Sequence, residues 1–384
     1  MSTPPVMRDD DVEVGRPHGQ PGARDNSPQV WLLRLVSALV IPAVLALFFF
    51  TFEFLQDPDT NKILQIVVAI IVGVGGVWLL YWAMDRLVSL LPDQAGAGVR
   101  PFVFAGPALI LLGFYLVYPT VGTLTASLSD ASGEAFVGLD NYQRIFTESI
   151  YLEALRNSFV WAAVVPVACV VFGLAVATLA DLLPRRTEST FKSLIFLPMA
   201  VSFVGASVVF TFIYSFRPEG FGEQIGLLNA IVSALGGNPV DWLRVPLWNN
   251  LFLMVVLIWT QTGFAMVILS SAIKGVPDDL LEAARIDGAN EWQVFRRITV
   301  PTIASTIVVV WTTILITTWK VFDIVYVMTG GRDGTSVVAE RMITEIFTFQ
   351  NNGVGAALAV ILLVLVTPIL VINIRRFREQ EAIR

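Results

Sequence analysis

The stretch Glu282–Pro301 reads EAARIDGANEWQVFRRITVP and lies between two long apolar runs of a very hydrophobic chain. Upstream, Pro277 is followed by Asp278 and Asp279. Proline fits the first turn of a helix, and carboxylates are favoured at its positive dipole end. A helix is therefore expected through Leu280, Leu281, Ala283 and Ala284, stopped at Gly288, the residue type that takes a left-handed backbone most easily. A second helix follows from Ala289, with Trp292 and Phe295 on one face, and Pro301 marks the start of the next apolar run. The pattern is a polar helix–turn–helix carrying an exposed apolar stripe. By itself it fits a hairpin packed back on its own protein as well as a knob for a groove on another.

The rest of the chain decides where that elbow sits. Of 384 residues, 55% are hydrophobic and only 15% are charged; soluble globular chains carry roughly 25% charged residues. With 26 Phe and 10 Trp, this composition belongs in lipid. The net charge of -6 is spread thinly and leaves no basic patch, which argues against nucleic acid as a partner. A lipid-crossing helix needs about 20 apolar residues. Eight stretches qualify, near 30–52, 63–84, 102–126, 158–180, 194–215, 247–272, 302–326 and 354–374. Each must be helical, because an unpaired backbone amide in hydrocarbon is too costly. The expected fold is an all-α membrane protein.

Lys and Arg orient it. In an eight-span arrangement Arg86, Arg100, Arg185, Arg186, Lys192, Lys274, Arg285, Arg296, Arg297, Arg375, Arg376 and Arg378 fall on one side. Fewer face the other. Both termini and the elbow are then cytoplasmic. Residues 1–29, rich in Pro, Gly, Asp and Arg, cannot bury enough surface to fold and read as a disordered tail, not a signal peptide. His18 lies in that tail as a solvated residue. Residues 376–384 form a second cytoplasmic tail. The single Cys169 excludes an internal disulfide and reads as a small core residue. In the outer loop after the third span, Phe146, Ile150 and Leu155 suggest an amphipathic helix on the membrane surface. Leu227, Leu228, Ile231 and Leu235 suggest another, ended by Gly236-Gly237.

The elbow resembles the EAA loop of ATP-binding-cassette (ABC) import permeases. That motif runs Glu-Ala-Ala, three residues, Gly, nine residues, Ile, one residue, Leu-Pro. Here it is Glu282-Ala283-Ala284, Gly288, Ile298 and Val300-Pro301, departing only at Val300. FVGLDNY at 136–142, FLPMAVS at 196–202 and VFDIVYVMTGG at 321–331 are similar to marks of the carbohydrate permeases of the maltose and α-glucoside type. The resemblance covers roughly residues 100–375. It implies a six-helix type I importer core holding the coupling loop at 273–300, preceded by two accessory spans over 30–90. Those spans resemble the additional helices of the larger maltose permease subunit, without its large outer domain. It further implies a second permease subunit, forming a heterodimer, with two copies of an ATP-binding subunit and an extracytoplasmic sugar-binding protein. ATP and Mg belong to the ATP-binding subunits. This chain has no GxxxxGK[ST] segment, is not an enzyme, and is expected to carry no cofactor or metal of its own. Glu282, Ala283, Ala284, Gly288, Ile298 and Pro301 would couple ATP hydrolysis to alternating access.

Polar residues inside spans mark the candidate sugar pathway. Met199 and Ser202 follow Pro198, which loosens its helix. IWTQTGF places Trp259, Thr260, Gln261 and Phe264 within two turns, and TTWKVFDIVY places Trp319, Lys320, Asp323 and Tyr326 together. The resemblance implies an oligosaccharide or α-glucoside such as maltose or trehalose. Plainer alternatives stay open at each cluster: polar contact between packed helices for the first two, and an i,i+3 ion pair for Lys320 and Asp323. Other readings of the whole chain are an importer subunit for a non-sugar solute, an ion-coupled secondary transporter, and a purely structural membrane subunit.

Overall fold

The computed structural model describes residues 28–382 apart from residues 59, 90–92 and 219. The expected tail, with His18, lies outside the described residues except for its last two positions. The chain divides into two compact units, residues 1–118 and 119–384. No strand forms among the described residues; one isolated bridge joins Ser129 and Phe136.

In the first unit, α1 (Pro28–Gln56) and α2 (Lys62–Ser89) form a hairpin. Gln65 closes its turn by donating to the carbonyls of Asp57 (2.7 Å) and Phe54 (3.3 Å). α3 (Asp93–Leu112) follows, and its Phe104 ring stacks on Tyr81 with centroids 6.2 Å apart. A π-turn over Gly113–Val117 joins α3 to α4 (Tyr118–Ala126).

The second unit is built on α6 (Ser149–Ala180) and α10 (Trp248–Lys274), which pack along much of their length. Lipid tails are as apolar as leucine, so burial alone does not drive this contact; close packing of small residues does. Gly173 supplies it: a Cβ there would lie 2.6 Å from the Ala265 Cβ. Trp161, Cys169, Leu253, Leu257, Met266 and Ile314 fill the core around this seam. Cys169 is buried there as a small packing residue.

Five helices among the described residues are long and apolar enough to cross a bilayer, and up to seven spans result when two bent pairs each count as one. The eight expected runs do not map onto eight straight helices. The stretch 194–215 is broken: α7 (Arg185–Phe196) passes through a 3-10 turn, Leu197–Ala200, into α8 (Phe203–Ile213) with a 100° bend. Pro198 sits in the turn, Val201 is extended, and Ser202 caps α8 by accepting from the Gly205 N–H (3.1 Å). The stretch 302–326 is interrupted at both ends. α14 (Ala304–Trp319) begins after a 69° bend at Ile303, and α15 (Asp323–Met328) is a separate helix. The expected first span retains the shorter apolar helix Pro42–Gln56 within α1.

The loops correct the sequence reading in one place. α5 (Asp140–Thr147) ends at Glu148, and α6 begins at once. Phe146 and Ile150 are exposed as expected, but Leu155 is buried in a core cluster, because it belongs to the 32-residue α6 and not to a surface helix. α9 (Leu227–Ala234) forms as expected, and Gly236 ends it with φ +80°.

At the end of the bundle away from the elbow, side chains from α6 and α10 hold the loop 329–337. Asn157 donates to the carbonyls of Gly334 (2.8 Å) and Ser336 (2.9 Å), and Asn249 donates to Asp333 (2.6 Å). Asn250 donates to Gly334 (3.0 Å) and accepts from Trp161 Nε1 (3.0 Å). Removing Asn157 leaves the Ser336 carbonyl without its donor, while Gly334 keeps Asn250, a cost of about 1–3 kcal/mol. Asn157→Ala is expected to lower the Tm of the detergent-solubilised protein and to open the loop to protease; an unchanged Tm would show the clamp to be idle.

Candidate coupling and transport sites

The elbow forms as its sequence dictates. Pro277 caps α11 (Asp278–Ile286), with Asp278 and Asp279 in its first turn. Gly288 has φ +85°, the left-handed region, and nothing lies within 4 Å of where its Cβ would be. Glycine is therefore required here for its backbone, not for space. Asn290 then caps α12 (Glu291–Val294) in a reciprocal box: its Oδ1 accepts from the Gln293 N–H (2.9 Å), and Gln293 Oε1 accepts from the Asn290 N–H (2.8 Å). Arg285 bridges the turn to Glu291 through two hydrogen bonds, 3.0 and 3.3 Å. That partner holds the Glu291 carboxyl below its ordinary value, first by hydrogen bonding and then by charge.

After α12 the backbone widens into a π-turn, Phe295–Thr299, before α13 (Val300–Thr302). Pro301 contributes no N–H to the ladder, which weakens regular α spacing at this point. The elbow turns its apolar side chains outward: Ile286 is 85% exposed, Trp292 66% and Leu280 48%. The Trp292 ring stacks against Phe295 at 5.6 Å. Of the motif positions, Glu282, Ala283, Gly288 and Pro301 are exposed, Ile298 is half-buried and Ala284 is buried.

The candidate pathway residues separate into groups. Met199 and Ser202 flank the break before α8, and both are exposed. Trp259 is exposed on α10 and meets the Phe210 ring of α8 at 5.3 Å. From there aromatic contacts run on through Tyr214 (5.5 Å), Phe252 (5.3 Å) and Trp242 (5.1 Å), a continuous row from α8 and α10 to the loop before α10. Gln261 and Phe264 are half-buried on α10. Thr260 is buried and donates to its own helix at Leu257. Trp319 is buried against Phe159, ring centroids 5.0 Å apart.

Lys320 and Asp323 do not form an ion pair. The i,i+3 spacing brings side chains together only on a continuous helix, and the chain is non-helical between α14 and α15. Lys320 is exposed, Asp323 is half-buried, and Tyr326 is exposed beside Phe322 with centroids 4.9 Å apart. α8 and α14 carry no charged residue, and α10 carries none before its last position, Lys274. Two polar groupings escaped the sequence reading. One is the asparagine clamp, signalled by the Asn249-Asn250 pair at the start of an apolar helix. The other is a set of acidic and basic residues at the opposite ends of the same helices.

Comparison with known proteins agrees with this architecture. Residues 169–379 match the family described as binding-protein-dependent transport system inner membrane component. The osmoprotective compounds uptake permease protein GgtC of Synechocystis is 52% identical over 282 residues, covering 73% of this chain and all of the relative. The alpha-glucoside transport system permease protein AglF of Rhizobium meliloti is 46% identical over 334 residues, covering 83% of this chain and 98% of the relative. The fold is similar to a chain of a bacterial ABC transporter involved in the import of the acidic polysaccharide alginate. That match has a TM-score of 0.62 at 20% identity and covers 74% of this chain and 99% of that one. This chain belongs to the binding-protein-dependent transport system inner membrane component family, as a membrane-embedded permease subunit of an ABC importer and not an enzyme.

Proposed function

We propose that the chain forms half of an import pathway for a neutral sugar, an oligosaccharide or α-glucoside, and is driven through its elbow by a separate ATP-binding subunit. The observation that carries the coupling role is the elbow itself. It is a pre-shaped helix–turn–helix, held by a left-handed glycine and a capping box, that presents Leu280, Ile286 and Trp292 to solvent. Such a surface suits a groove on a partner. Glu282, Ala283, Ala284, Gly288, Ile298 and Pro301 shape and seat it. In this reading both termini and the elbow are cytoplasmic. A second permease subunit completes the pathway as a heterodimer, two ATP-binding subunits bind ATP and Mg, and an extracytoplasmic binding protein delivers the solute.

The sugar assignment is supported by the relative named for alpha-glucoside transport and by the walls of the bundle. Three helices, uncharged apart from Lys274 at the elbow end of α10, favour a neutral solute over an ion. Trp259, exposed at one end of the aromatic row, offers a ring face, and Met199, Ser202, Gln261, Phe264 and Tyr326 line the same breaks and helices. Thr260 and Trp319 act from within the bundle by positioning these. Lys320 and Asp323 lie beyond the end of α14. A second reading is favoured by the relative named for osmoprotective compounds: the cargo is a compatible solute. The test is uptake by proteoliposomes holding the whole complex and its binding protein, with maltose, trehalose, larger α-glucosides and a betaine. ATP-dependent uptake of a glucoside is expected. Uptake of the betaine alone would discard the sugar assignment, and uptake without ATP would discard the importer mechanism.

A further inference from the structure

At the elbow end of the bundle, four charged side chains from three elements close on one another. Asp181 follows α6, Glu188 and Lys192 belong to α7, and Lys274 is the last residue of α10, three positions before the cap of the elbow helix. Lys192 is the hub. Its Nζ lies 2.6 Å from Asp181 Oδ1 and 2.5 Å from Glu188 Oε1, and it also donates to Ser270 Oγ. Lys274 donates to the same Glu188 oxygen and lies 3.7 Å from Asp181. Two positive and two negative groups balance. The side chain of Lys274, at the rim, is 53% exposed, and those of Lys192, Glu188 and Asp181 are 16%, 11% and 19% exposed. Partners so withdrawn from water are screened weakly, and removing one leaves the others uncompensated.

The same helix α7 is held on α10 a second time, one turn beyond Lys192. A Cβ at Gly263 would lie 2.6 Å from the Ile195 carbonyl oxygen and 2.8 Å from the Phe196 Cα. Gripped at two places along its length, α7 cannot slide or roll on α10 without breaking one of them. Its far end leads directly into the 100° break and α8, where Met199 and Ser202 lie.

We propose that Asp181, Glu188, Lys192 and Lys274 are positioning residues that join the elbow end of α10 to α7 as one body. Displacement of the elbow is thereby delivered to the break at Val201–Ser202 and moves α8. This rests on the reading of the elbow as the piece an ATP-binding subunit pushes. The network remains closed while the transporter turns over. It is a strut, not a latch that opens.

Two arms test it, in proteoliposomes holding the whole complex and using whichever solute the wild-type complex imports, so that a wrong sugar assignment leaves the test standing. In the first, Lys274→Glu is expected to lower the uptake obtained per ATP hydrolysed by about tenfold or more. Lys274→Arg, which keeps a positive partner for Glu188 and Asp181, is expected to stay near the wild-type ratio. In the second, Glu188→Cys and Lys274→Cys are joined by a short bis-maleimide in a Cys169→Ser background. The reagent can reach them because both residues border an open groove of about 640 Å³. The joined complex is expected to import solute at near the wild-type ratio. An unchanged ratio in Lys274→Glu, a Lys274→Arg ratio as low as that of Lys274→Glu, or a joined complex that hydrolyses ATP without import would each overturn the proposal.

Discussion

A Gly288→Val chain is expected to insert and fold normally, yet to lose nearly all ATP-driven uptake. The backbone at 288 has φ +85°, and no atom lies within 4 Å of where a side chain would begin. Valine therefore meets no clash; its penalty is conformational. The left-handed region costs an ordinary residue roughly 1–2 kcal/mol, and a β-branched side chain is a true outlier there. That sum is small beside the stability of the membrane core but large for a nine-residue helix standing in solvent. The turn relaxes toward negative φ, and the relative aim of α11 and α12 changes. Ile286 and Trp292, both exposed, then change their relative placement. Replacement by Asn, which tolerates this conformation, is expected to retain most activity, with Ala between the two. The measurements are uptake in proteoliposomes and co-purification of the ATP-binding subunit. Valine with undiminished uptake would remove the elbow from the coupling route.

The readable parts of this protein are those governed by local rules. Pro277 with two aspartates started a helix, Gly288 and Gly236 stopped theirs, and apolar runs located the lipid-crossing regions, because each signal acts within a few residues. Asn290 and Gln293 also spelled a capping box, legible from spacing but not read. The loosening expected after Pro198 became a full 100° break at 201, whereas the breaks at 303 and 320 were hidden. Hydropathy averages over a window and is blind to one extended or turned residue inside an apolar run, although Pro198 and Pro301 stood beside two of them. Leu155 was misplaced for the opposite reason: a helix longer than the bilayer carries its core face into what looks like a loop. Lys192 and Lys274 entered the sequence reading only as charges that orient the chain. Glu188 stands four residues before Lys192 on α7, a spacing that does pair them, but Asp181 and Lys274 lie on other elements, and no local rule joins residues across α7 and α10.

The same valine substitution at Gly263 should have the contrary outcome: a chain that fails to fold. Here the backbone is already helical and tolerant of any residue, and the space is missing. A Cβ at 263 would stand 2.6 Å from the Ile195 carbonyl oxygen and 2.8 Å from the Phe196 Cα. Both are backbone atoms, which cannot step aside as the tip of a side chain can. Overpacking a core costs typically about 1–3 kcal/mol, occasionally more. In a bilayer little resists the separation of helices beyond close packing itself, since lipid covers an exposed leucine as well as another helix does. The added methyl groups would push α7 from α10, lengthen the contacts of Lys192 with Ser270, and expose backbone at the 3-10 turn. Gly263→Val is therefore expected to give low yield, a broadened size-exclusion profile and protease sensitivity near 195–202, whereas Gly288→Val gives a native profile with no uptake. A Gly263→Val protein that matched the native profile would mean that α7 does not lie on α10 as closely as this structure shows, and the rigid link from elbow to broken span would fail with it.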